Sequence, residues 1–150
     1  MKWFKCLGLA GAMALLALWG DTAQGNTLAR RQYYGRWTYY PARSYYYSYY
    51  YYKPVETAID YEYHYTIYYP SRPRYVYYYN PHRRVYWGRY DLQGKGDKVY
   101  SLLDEKDRKQ NLSDIPEKAF PTPGAMPTIP TAKDKEQILP PPSVADLKEK

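Results

Sequence analysis

The sequence predicts a mainly β protein, a small antiparallel tyrosine-rich meander over about residues 61–103 flanked by low-complexity and disordered segments. Three observations lead there. Tyr61, Tyr63, Tyr65, Ile67 and Tyr69 alternate with Glu62, His64, Thr66 and Tyr68, which is the two-residue period of a strand. Turn-forming residues recur at Pro70-Ser71-Arg72-Pro73, Asn80-Pro81 and Gly94-Lys95-Gly96-Asp97. Aliphatic residues are scarce. After residue 25, Leu, Ile, Val and Phe together number 18 in 125 residues, about 14%, below the roughly 20% at which a charged chain leans towards disorder. Tyrosine must therefore supply most of any core, and each buried phenol needs a hydrogen-bond partner.

In chain order, residues 1–25 resemble a cleavable secretory signal. Lys2 and Lys5 precede an uncharged run from Leu7 to Leu18, and Ala23-Gln24-Gly25 offers small residues for cleavage between Gly25 and Asn26. The apolar run meets Asp21 before it is long enough to span a bilayer. No membrane span is expected once the signal is removed. Cys6 is the only cysteine and lies within the signal, so the remaining chain has no disulfide, thiolate nucleophile or cysteine metal ligand.

Residues 26–60 form a low-complexity segment. Its tyrosines cluster at 33–34, 39–40, 45–47 and 49–52 without a strict period, which predicts mostly irregular chain with extended pieces. The meander follows at 61–103. Its second strand runs from Arg74 to Tyr79, its third from Arg84 to Tyr90 and its fourth from Lys98 to Leu103. A loop at Asn80–Arg83 would place Tyr79 opposite Arg84, with Val76 beside Trp87 and Tyr78 beside Val85 on one face. Tyr77 and Tyr86 would meet on the other. Residues 104–120 are a charged linker with a short helical turn, and 121–150 a proline-rich tail expected to be extended or disordered.

Charge divides the chain. From Thr27 to Tyr90 ten basic residues face three acidic ones, a net of +7, whereas Asp91 to Lys150 carries −1. All 23 tyrosines lie between Tyr33 and Tyr100, so cations and phenols share one region. Guanidinium groups stack on phenol faces at about 0.5–1 kcal/mol per exposed contact. Tyr77, Arg84, Tyr86, Trp87 and Arg89 are the residues expected to form an aromatic–cationic binding surface.

Catalysis is not expected. No serine lies in a G-x-S-x-G elbow, Gly94-x-Gly96 lacks the rest of a phosphate loop, and Asp104 and Glu105 are adjacent and point apart. Asp60, Glu62 and His64 would share a strand face, but these and His82 are too few to predict a metal centre. No cofactor is expected. The block from Tyr77 through Asn80-Pro81-His82-Arg83-Arg84 to Leu92, with Tyr100-Ser101-Leu102-Leu103 and Lys106-Asp107-Arg108-Lys109, resembles short exported proteins of planctomycete-type bacteria. That resemblance continues through Ile115-Pro116-Glu117 and Ala119-Phe120-Pro121. It implies a bacterial envelope or secreted setting and brings no catalytic residue. The expected role is that of an exported structural or interaction protein, periplasmic, surface-bound or extracellular. Its expected partners are envelope polysaccharide, anionic polymer or further copies of itself, with a glycan-binding module as the alternative. Nucleic acid is not an expected partner.

Overall fold

The computed structural model describes residues 30–147, and the signal segment with its Gly25–Asn26 cleavage point lies outside them. Seven strands build one antiparallel sheet: β1 Gln32–Tyr34, β2 Thr38–Tyr40, β3 Tyr45–Tyr52, β4 Glu62–Tyr68, β5 Tyr75–Asn80, β6 Val85–Lys95 and β7 Lys98–Leu102. Strands β3 to β7 follow one another in space as in sequence, and β1 and β2 both pair with the outer edge of β3. The expected meander is present, with its strands close to their expected positions. The sheet also reaches further towards the N-terminus, because the extended pieces of the low-complexity segment are the strands β1, β2 and β3.

Three irregularities shape the sheet, one of them between β6 and β7, where Tyr90 pairs with Tyr100 but Lys95 with Lys98. Tyr34 pairs with Tyr50 and Thr38 with Tyr47, so β1–β2 spends one more residue than β3 over this stretch. In the β5–β6 hairpin Tyr79 pairs with Tyr86 but Tyr78 pairs with Gly88, leaving Trp87 as the extra residue. The expected register is therefore wrong. Asn80 joins β5 and pairs with Val85, and the turn is Pro81–Arg84. The Asn80 side-chain oxygen accepts from the backbone N–H groups of His82 and Arg83 at 2.9 and 3.0 Å. Arg84 closes the turn at φ 56°. Near the turn the slip is two residues, an even number, so the face assignment survives it. Val76, Tyr78 and Trp87 do share one face and Tyr77 and Tyr86 the other.

Both faces are covered by chain that follows the sheet. On the first, Tyr46, Tyr50, Tyr52, Tyr68, Val76, Tyr78, Trp87 and Tyr100 pack against Ile129 and Ile138 of the tail. On the second, Ile67, Tyr77 and Tyr86 pack against Leu103, Leu112 and Ile115. That covering segment is held by three single-turn 3-10 helices at Glu105–Asp107, Leu112–Asp114 and Glu117–Ala119.

The disordered tail expected over 121–150 is corrected for its described part, to Leu147. Gly124 bridges Tyr100 at the β7 edge, and Thr128 bridges Gln137. Ile129 and Ile138 are almost fully buried. Gln32 is the main anchor. Its Nε2 donates to the Glu136 carboxylate and the Gln137 carbonyl at 3.0 and 2.9 Å. Its Oε1 accepts from the Tyr50 hydroxyl and the Leu139 N–H at 2.9 and 3.0 Å. Arg31 adds contacts to Asp134 and Glu136 at 2.6 and 2.7 Å. Tail prolines lack the N–H that a sheet ladder needs. This tail needs no ladder, because widely spaced apolar residues suffice where a tyrosine face supplies the opposite wall.

Candidate functional site

The covering of the second face is incomplete. Residues 103–120 shield β5 and β6, while the same face of β1, β3 and β4 stays half-open. The burial of β3 shows how a run of near-identical residues becomes two-sided. Tyr46, Ser48, Tyr50 and Tyr52 are buried, and Tyr45, Tyr47, Tyr49 and Tyr51 are half-exposed. Ser48 fits beneath because it is small, and its hydroxyl donates to the Gly35 carbonyl at 2.8 Å.

Seven half-exposed tyrosines adjoin there: Tyr33, Tyr47, Tyr49, Tyr51, Tyr61, Tyr63 and Tyr65. Tyr33, Tyr51 and Tyr49 form a stack, with centroids 4.9 and 5.5 Å apart and planes within 23° and 12° of parallel. Tyr63 and Tyr65 meet Tyr49 at steeper angles, 61° and 59°. Tyr61 stands edge-on to Tyr33, and the His82 ring lies beside Tyr63. At these separations the rings overlap in part, as offset stacks do. Burial raises the pKa of the Tyr51 and Tyr65 phenols above the ordinary 10, and neighbouring phenols add to the shift. These hydroxyls are neutral donors and acceptors at physiological pH. Rigid amphipathic phenols of this kind are favoured recognition surfaces.

The five residues chosen from sequence do not form a surface. Tyr77, Tyr86, Trp87 and Arg89 are 2, 6, 7 and 6% exposed, and they lie on opposite faces. Only Arg84 is exposed. The guanidinium–ring chemistry is real but points inward. The Arg89 guanidinium sits 3.8 Å from the Tyr75 ring centroid and 4.0 Å from that of Phe120, and it pairs with both oxygens of Glu117. That pairing holds the Glu117 carboxyl below its usual range. Sequence reasoning missed the exposed phenols of β3 and β4 because the tyrosine run gives no sign of which alternate residues face out.

The proposed strand-face trio also resolves differently. His64 is buried, whereas Asp60 and Glu62 are exposed, and among the described residues no group of three His, Cys, Asp or Glu side chains is placed to hold a metal. Tyr52 links Glu62 and His64. Its hydroxyl donates to Glu62 at 3.0 Å and stands 3.3 Å from His64 Nε2. One phenol proton cannot serve both, so Nε2 carries the proton towards Tyr52 and Nδ1 is the bare nitrogen. Nδ1 is buried without a protein partner among the described residues, as are Trp87 Nε1 and the Tyr100 hydroxyl on the same face. Burial, aided by nearby His82, pushes the His64 imidazole from 6.5 down to about 4.

The sign follows from linkage. The unfolded chain takes up the His64 proton first, so the stability due to neutral His64 is complete above about pH 6.5 and is lost as pH falls towards 4. The expected slope is at most about 1.4 kcal/mol per pH unit. Urea unfolding between pH 7 and 4 should show it, and His64→Leu should flatten the curve in that window. An unchanged slope in the variant would assign the acid sensitivity elsewhere.

No protein-family model, curated protein or solved structure matches this chain. Among the described residues no helix is long and apolar enough to cross a membrane. The class is set by the fold itself: one antiparallel β-sheet, covered by irregular chain on both faces, with part of one face left as open phenol rims.

Proposed function

We propose that this chain is an exported, non-catalytic interaction protein of the bacterial cell envelope, and that the open tyrosine face is its binding surface. The observation carrying this reading is the continuous set of seven half-exposed phenols on β1, β3, β4 and Tyr61. A core could have been built with those rings sealed, yet the covering segment stops short of them. Signal-like residues at the start of the sequence, with cleavage before Asn26, support export. The net +7 of residues 27–90, which hold all but one of the tyrosines, favours anionic envelope material as partner.

Retention of the purified protein on isolated envelope material tests the role. Tyr49→Ala combined with Tyr51→Ala removes two adjoining rims and should weaken retention by about tenfold or more, since loss of interface tyrosines commonly costs over 1 kcal/mol each. The Phe pair at the same positions separates hydroxyl from ring contributions. Circular dichroism confirms that each variant keeps its sheet. A folded Ala pair retained like the wild type would remove the tyrosine face from consideration.

A further inference from the structure

We propose that the open tyrosine face and the groove beside it receive a linear acidic polysaccharide, with Arg43 and Arg72 taking the carboxylates of its uronate units. This deepens the binding role given above and rests on it. Where the sheet meets the covering segment, three hollows of about 360, 470 and 440 Å³ join end to end. The first two share Arg43, Tyr86, Gln110 and Asn111, and the last two share Arg72, Leu112 and Ser113. A long open groove suits a polymer better than a compact small molecule.

Two of its cations, the exposed Arg43 and Arg72, lack an ion-pair partner among the described residues. The Arg72 guanidinium lies near the Tyr77 phenol and partly offsets the rise in its pKa that burial causes. Nearby carboxylates are already engaged. Glu117 binds Arg89, Asp91 binds Arg74, and Glu105 binds Arg83 and Arg108. Asp114 accepts the Asn111 amide at 3.0 Å. Arg43 is fixed at the groove lip by the single turn Pro41–Arg43, closed by Ser44 at φ 51°.

Guanidinium groups bind carboxylates through paired hydrogen bonds. Phenol rims and the Gln110 amide supply the mixed donors and acceptors that sugar hydroxyls require. Two other polymers fit less well. Extended peptides gain affinity by adding a strand to a sheet edge, and this groove runs over a sheet face beside irregular chain. Single-stranded nucleic acid stacks its bases on open ring faces, and in the Tyr33–Tyr51–Tyr49 stack those faces overlap in part with one another.

Titration calorimetry of the purified protein with polygalacturonate, its fully methyl-esterified form, polyglutamate and a single-stranded oligodeoxynucleotide decides the matter. Saturable binding to polygalacturonate is expected, with weaker binding to the ester. Arg43→Gln and Arg72→Gln should each weaken it about tenfold, the scale of a lost charge-assisted contact. Equal affinity for the ester, tighter binding of polyglutamate or oligonucleotide, or unaltered binding by both arginine variants would overturn the proposal. If polygalacturonate is not bound while the Tyr49→Ala, Tyr51→Ala pair still loses envelope retention, the acidic polysaccharide is excluded and the binding role of the tyrosine face stands.

Discussion

Tyr78→Ala is expected to lower stability by about 4 kcal/mol, the upper range for deleting a fully buried aromatic ring. Tyr78 has no exposed surface. Its ring packs edge-to-face on Trp87 and Tyr100, each 5.3 Å away between centroids. Its hydroxyl meets that of Tyr34 at 2.7 Å. Tyr34 spends its own proton on the Leu139 carbonyl, also at 2.7 Å, so Tyr78 is the donor in this pair. The chain of hydrogen bonds thus runs from the sheet centre through β1 to the tail. Tyr78→Phe keeps the ring and removes only the donor, at a cost of about 1 kcal/mol. Urea unfolding followed by circular dichroism separates the two. Equal losses would mean that the hydroxyl, not ring packing, dominates at this position.

Gly88→Ala should cost about 3 kcal/mol, at the high end for overpacking a dense core. A Cβ at Gly88 would lie 2.3 Å from the Tyr100 hydroxyl oxygen and 2.5 Å from its Cε1. The β5–β6 bulge puts Trp87 and Gly88 side by side over the first face, and Tyr100 closes over that position from β7. Tyr100 is 2% exposed and cannot swing into solvent. Gly124→Ala is the control, because nothing lies within 4 Å of a Cβ built there. Its effect should stay within about 0.5 kcal/mol. Similar losses at both glycines would show that Tyr100 yields easily and that the close approach at Gly88 carries little energy.

Much of the fold was legible in the residues. The alternation around Tyr61–Tyr69 and the turns at Pro70 and Asn80 placed β4, β5 and β7 within a residue or so, whereas β6 runs to Lys95, five residues past its expected end and through Gly94 of the expected turn. Faces were legible where Val76, Tyr78 and Trp87 gave them a pattern. Register was not, because a bulge at Trp87 and a longer β5 change the pairing without changing composition. Strand β3 was obscured for a different reason. In a run containing only tyrosine and one serine, inward and outward positions have the same chemistry, and only the neighbouring strands distinguish them. The tail hid itself similarly. Ile129 and Ile138 are nine residues apart and look too sparse to anchor anything until a wall of buried phenols faces them.

The candidate site shows the same limit. Sequence reasoning identified the right chemistry, cations against aromatic rings, and assigned it to the wrong side of the surface. Arg89 uses its guanidinium to bind Tyr75 and Phe120 internally. Its neighbours in sequence were chosen for their density of rings and charge, and that density is also what a core short of aliphatic residues must use. The exposed phenols on β3 and β4 carry no charge and no special motif, so only the extent of the covering segment reveals them.

The contacts of Arg31 and Gln32 with residues 134–139 span more than a hundred positions of sequence. The earliest described strand therefore shares its side-chain anchors between nearby partners, Tyr50, Lys53 and Tyr78, and residues far along the chain. During growth or threading through a narrow passage, the phenol-lined strands would be available but unsealed, and such long-range closure is slow to find. The first face of the sheet is sealed only once residues 129–139 can meet residues 31–34.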